Sequence, residues 1–164
     1  VGDHLFWTDW DTHVSIARAT RDADGDGSVF YSVPGGDVRS FTTDGETFAW
    51  MQAFDQDPGT LLYARVELWA AGYDGDRFVD PHRVRDLPRF DNGTVGAGLF
   101  VMTEQSSPDS TPELVFYRLA DGARGAIVPG DRFLGDALYV TATDVLINAP
   151  AAPIRIDPRA LTFE

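Results

Sequence analysis

The chain has 164 residues and a formal net charge of −13, with every cation an Arg and 21 of its 26 acids Asp. Clustered cations for phosphate contact are missing, which excludes non-specific nucleic-acid binding and disfavours anionic membrane surfaces. With no Cys, the chain has no disulfide scaffold, no thiol nucleophile and no Cys-based metal site.

Hydrophobic residues make up 43% of the chain and aromatics 12%, enough for one packed domain over residues 1–164. No apolar run approaches the ~18 residues that a membrane-spanning helix needs, so no membrane insertion is expected. The excess of Asp over Glu favours turns over helices. The chain starts Val1-Gly2 without a Met and enters a strand almost at once. It reads as a processed product or a piece of something longer, placed in the periplasm, outside the cell or at the cell surface.

Short strands follow one another along the chain. Leu5-Phe6-Trp7 opens the first, and Val14 to Ala19 alternates with period two. Val29 to Val33 ends at Pro34-Gly35-Gly36, and Val38 to Thr42 leads into the hairpin signal Asp44-Gly45. Phe48 to Phe54 and Leu61 to Leu68 form a further pair. His82 to Leu87 alternates weakly, Asp91-Asn92-Gly93 reads as a turn, and Val95 to Met102 reads as one strand. Leu114 to Leu119, Ala126 to Val128, Ala137 to Thr141, Val145 to Ile147 and Ile154 to Ile156 complete the set. No segment holds a helical period over ten or so residues.

The strands recur as a unit. Phe6-Trp7, Phe48-Ala49-Trp50, Leu99-Phe100-Val101 and Leu138-Tyr139-Val140 each start a strand. Each is followed by an Arg among apolar residues, at Arg18, Arg65, Arg118 and Arg155. Approximate repeats are 1–42, 43–90, 91–130 and 131–164, and periods of about 40–50 residues with several strands mark propeller blades. Asp44-Gly45-x-x-Phe48-Ala49-Trp50 followed by Leu61-Leu62-Tyr63-Ala64 resembles a blade of the WD40-like or TolB-like β-propellers of bacteria, over roughly residues 38–68. The resemblance implies a fold and no activity. The expected architecture is all-β: a β-propeller-like array of about four blades, part of a larger or assembled propeller. A β-sandwich is the alternative. Phe48, Trp50, Leu62, Phe100 and Phe116 are expected to fill the spaces between sheets.

Three patterns carry candidate chemistry. Asp22, Asp24 and Asp26 alternate around Gly25 and Gly27 as the oxygen donors of a Ca2+ loop do, although Val33 stands where an EF-hand closes with Glu. The plain alternative is a solvated turn. Trp10, between Asp9 and Asp11, and Trp69 fall outside the strand alignment and are candidate interface or sugar-stacking residues. The repeated Arg residues are expected to pair with Asp of nearby turns. His4, His13 and His82 lie in no catalytic motif.

The expected function is a non-catalytic interaction module that docks on, or completes, a larger assembly, with another protein chain or a second copy as partner. A carboxylate-dependent hydrolase or lyase, or a sugar-binding module, on the same scaffold is the alternative.

Overall fold

The computed structural model describes residues 3–8, 15–20, 27–33, 35–60, 62–88, 93–104, 110–127, 138–141, 144–147 and 154–164. Those residues form fourteen strands and one short 3-10 turn, Pro158–Ala160, with no α-helix among them. The strands are β1 His4–Thr8, β2 Ser15–Thr20, β3 Ser28–Ser32, β4 Gly36–Thr43, β5 Thr47–Gln56, β6 Tyr63–Tyr73 and β7 Phe78–Leu87. They continue as β8 Gly93–Gly96, β9 Leu99–Glu104, β10 Glu113–Arg118, β11 Arg124–Ile127, β12 Leu138–Val140, β13 Val145–Ile147 and β14 Ile154–Ile156.

Consecutive strands pair antiparallel into four sheets: β1–β3, β4–β7, β8–β11 and β12–β14. Asp side chains hold several of the turns between them. Asp74 Oδ1 accepts the backbone N–H groups of Asp76 and Arg77, while Gly75 supplies φ 100°. Asp57 does the same for Gly59 and Thr60. The chain falls into two compact units, Val1–Phe41 with Gly45–Phe90 and Thr42–Asp44 with Asp91–Glu164.

In the first unit, sheets one and two pack through an aromatic cluster. Ile16, Val38, Phe48 and Trp50 are fully buried, with Phe6, Phe30, Tyr31, Tyr73 and Phe78 against them. Phe78 lies parallel to Trp50 at 5.0 Å between centroids, and Phe6 meets Phe48 edge-on at 4.9 Å. Full burial of each such side chain stabilises the fold by about 1.5–3 kcal/mol. Phe30 and Tyr31 are adjacent in sequence, yet both join this cluster. A register shift between Ile16 and Ala17 makes this feasible: Ile16 pairs with Tyr31 but Ala17 with Val29. Phe30 is the extra residue of a bulge, which re-aims one side chain. The outer edge strand, β7, carries Pro81, which an edge tolerates because its missing N–H faces no partner strand.

In the second unit the packing is mostly aliphatic. Leu99, Val101, Leu114, Phe116 and Val145 are buried, with Ile127, Val140, Ile156, Leu161 and Phe163 packed on them. After the 3-10 turn, residues 161–164 return along β11. Arg124 and Glu164 exchange both backbone hydrogen bonds, at 3.0 and 2.9 Å.

Four features differ from the sequence expectation. Val95 to Met102 is two strands, not one, because Ala97 (φ 53°) and Gly98 (φ 73°) make a two-residue hairpin of the type I′ kind between β8 and β9. Residues 38–42, grouped with the first repeat, belong to β4 at the edge of the second sheet. Arg18, Arg65 and Arg118 lie on β2, β6 and β10, each the strand directly after its aligned start in β1, β5 and β9, whereas Arg155 lies on β14, two strands after β12, and so is out of step. Leu62 sits in the loop before β6 and is 69% exposed, unlike Phe48, Trp50, Phe100 and Phe116, which are fully buried.

Candidate functional site

Each of the repeated Arg side chains pairs with an acid, near or far in sequence. Arg18 stacks over Phe30 at 4.7 Å, donates to the Asp76 carbonyl and pairs with the Asp76 carboxylate. Arg118 binds Asp121 through Nε and Nη2, at 2.9 and 2.7 Å. Arg65 binds Glu67 rather than a turn Asp.

Glu67 is the most buried acid among the described residues. It accepts hydrogen bonds from Arg65 (2.8 Å), Trp69 Nε1 (2.9 Å) and Arg83 (3.5 Å). Two guanidinium groups and an indole donor satisfy its oxygens there. Cross-strand from it stands Gln52, also buried, whose amide reaches the Tyr31 hydroxyl at 3.5 Å. The second unit has its own hub: Tyr117 donates to Glu104, and Arg124 bridges Glu104 (3.1 Å) and Glu113 (3.0 Å). Burial, then the hydrogen bond to Glu104 and its charge, push the Tyr117 phenol well above its ordinary range, against the opposing pull of Arg124. Burial works against the Arg124 cation, but its bonds to Glu113 and Glu104 outweigh that and hold its pKa above the ordinary value. Both hubs fix strands; every polar partner in them is already engaged.

Two places remain open to a partner or ligand. The first is the outer face of sheet one. Register puts Leu5 beside Ala19, and Trp7 beside Ala17 and then Val29. Leu5 is 50% and Val29 68% exposed, and the face carries no charge among these residues. Trp7 lies close against Gly27, where a Cβ would fall 2.1 Å from the ring.

The second is a cleft of about 390 Å³ in the second unit. Ala97, Leu99, Leu161 and Phe163 give it apolar lining, and among the described residues Arg118 and Arg159 are the cationic groups on it. The Arg118 guanidinium lies 5.0 Å from the centroid of the Phe163 ring. Arg159, on the 3-10 turn, binds Asp157 through Nε and Nη2, both at 2.9 Å. The Arg118 and Ala123 N–H groups hold the Asp121 carboxyl below its ordinary range, and Arg159 does so for Asp157. Ala97, a non-glycine residue at positive φ, costs about 1–2 kcal/mol of backbone strain on the lining.

Of the sequence-predicted residues, Trp69 is half-buried on β6, its N–H on Glu67 and its ring stacked 6.4 Å from Trp50. Asp22, Asp24, Asp26 and Trp10 lie outside the described residues. Among the described residues, no three acids or histidines gather closely enough to hold a metal ion. His82 is exposed, with Nδ1 at 2.8 Å from the Asp80 carbonyl. No described helix is long and apolar enough to cross a membrane. The sequence reading missed the cleft. Its signals were the Gly96-Ala97-Gly98 run, a turn inside an apolar stretch, and the alternation Leu161-Thr162-Phe163. Compared with known proteins, the chain matches no family model and no curated protein.

Proposed function

We propose that this chain is a non-catalytic interaction module, a propeller-like run of about four blades that completes a larger assembly by docking against another protein chain. The observation that carries this reading is the outer face of sheet one, where Leu5 and Val29 are half or more exposed on an uncharged sheet surface. Burial along the strands supports the blade reading. Successive residues Phe48 to Ala53 of β5, and Leu99 to Met102 of β9, are all buried, as in sheets covered on both faces. Sheet one departs from that pattern on one side alone. A propeller blade cannot bury both faces by itself, so a blade with an uncovered face needs a neighbour.

The partner is a different chain rather than a second copy. Two copies would each bring a charge of −13 to the encounter, and like charge slows association and costs affinity. The partner is expected to present an apolar sheet face and a neutral or basic surround.

Native mass tests the proposal. From its source, the chain is expected in a species well above its 18.0 kDa monomer mass, with a second chain in the complex. The double variant Leu5→Glu, Val29→Glu should release it as a folded monomer. A monomer in the source, or a complex untouched by the double variant, sinks the reading; a complex made only of this chain replaces the partner with a second copy.

A further inference from the structure

We infer that the cleft beneath residues 158–163 is a binding site for a small planar organic carboxylate. The inference does not rest on the docking proposal, since it concerns the second unit alone.

The walls and the cations come from separate pieces of chain. Leu99 belongs to β9 and Arg118 to the end of β10, while Arg159, Leu161 and Phe163 follow the last sheet. The Arg124–Glu164 backbone pair anchors the returning segment to β11. Gly125 lets it come close, for a Cβ there would stand 2.7 Å from the Thr162 carbonyl oxygen. The cleft is therefore held open by backbone hydrogen bonds at one wall and by the two-residue hairpin that carries Ala97. Its volume lies in the lower part of the range for small-molecule sites, which are apolar with few polar groups.

The chemistry of the lining selects the ligand. Among the described residues, the charged groups on the lining are Arg118 and Arg159, with no acid. Each guanidinium spends Nε and Nη2 on its own Asp. That leaves Nη1, with two N–H donors, unused by either pair, and a carboxylate is the acceptor such donors recognise. The Arg118 guanidinium and the Phe163 ring already form a stack. A planar ligand extends that stack in a way a branched aliphatic cannot. The charge of −13 does not decide against an anion here. At physiological salt, charges beyond about 8 Å are screened; Asp121 and Asp157 are each matched by one of the two Arg residues, and Asp144, which Arg159 also feels, is paired with Arg155.

The test titrates the full ¹⁵N-labelled chain with phenylacetate and, separately, with uncharged phenylacetamide. Phenylacetate should shift the amides of Ala97, Gly98, Leu119, Arg159 and Phe163 and bind about tenfold more tightly than the amide. Arg159→Gln, at an exposed position of the turn, should cut that preference several-fold while leaving the rest of the spectrum in place. Leu161→Trp should fill the cleft and abolish binding of both. Three results overturn the inference: no saturable shift at these amides up to about 10 mM ligand, shifts centred elsewhere on the chain, or equal affinity for acid and amide. Retained acid preference in Arg159→Gln would leave Arg118 as the sole anchor and remove the two-cation site.

Discussion

Between its two sheets the first unit stacks rings: Phe6, Phe30, Phe48, Trp50, Tyr73 and Phe78 meet edge-on or in parallel within 4.7–5.4 Å of at least one other. The second unit fills the equivalent space mostly with branched aliphatics, Leu99, Val101, Leu114 and Val145, around one buried ring, Phe116. The contrast has consequences. Rings are large and directional, so the first unit needs a bulge to aim Phe30 and Tyr31 inward together, and it keeps a buried carboxylate to satisfy Trp69. Aliphatic side chains pack without such devices, but the second unit's last sheet has strands of three residues. It recruits Leu161 and Phe163 from outside the sheets to complete its core.

The largest test of this contrast is Trp50→Ala, expected to cost about 4 kcal/mol, against about 3 kcal/mol for Leu114→Ala. Urea midpoints measure both, and amide exchange should lose protection first within the unit that carries the change. Trp50→Phe sharpens the point. The indole N–H of Trp50 is buried without a partner among the described residues. Discarding it should recover most of the loss, so a Phe variant as unstable as the Ala variant would show that shape, not stacked area, holds the first core.

Next come two glycines, each under a ring. A Cβ on Gly93 would stand 2.2 Å from the Phe100 ring, and one on Gly27 2.1 Å from Trp7. Phe100 is fully buried and cannot yield, so Gly93→Ala should cost about 1–3 kcal/mol by overpacking. Trp7 is half-buried on an open face and can swing away. A Cβ on Gly27 would still stand 2.8 Å from the Arg18 carbonyl oxygen, backbone that cannot follow the ring, so Gly27→Ala should also cost about 1–3 kcal/mol. A cost near zero by thermal unfolding would mean that β2 yields at Arg18 as readily as Trp7 does.

The smallest effect is alkaline. The folded pKa of Tyr117 is raised above its ordinary value of 10.0, first by burial. The stability it contributes is whole below pH about 10, where the unfolded phenol is also neutral, and is lost as pH climbs toward the raised value. Urea midpoints should fall above pH 10, with the dependence flattened in Tyr117→Phe. Tyr31 and Tyr63 are raised too, in the first unit. A slope unchanged in Tyr117→Phe would assign the effect to them.

Much of the fold was legible because local signals were strong. Alternation in Val14 to Ala19, and punctuation at Asp44-Gly45 and Asp74-Gly75, placed strands and turns by steric and hydrogen-bonding rules that act within a few residues. The grouping of strands into sheets was less legible. Whether β4 pairs with what precedes or follows it depends on long-range partners, which a window on the sequence does not contain. Gly96-Ala97-Gly98 misled for a different reason. Ala at positive φ breaks the usual preference for Gly or Asn at both central positions, so an apolar run concealed a hairpin. The cleft was least visible, because its residues lie far apart in sequence and meet only through the return of residues 161–164.

That return also sets an order of events. Strand β11 is made well before the segment that pairs with it, and the last sheet is threaded between them in the sequence. During synthesis the third sheet therefore exists for a time with an open edge, the kind of surface that captures stray strands. The first unit can have all seven of its strands in hand by then. The second is not sealed until residues 161–164 have been made, and its vulnerability to misassembly is a matter of timing rather than of core composition.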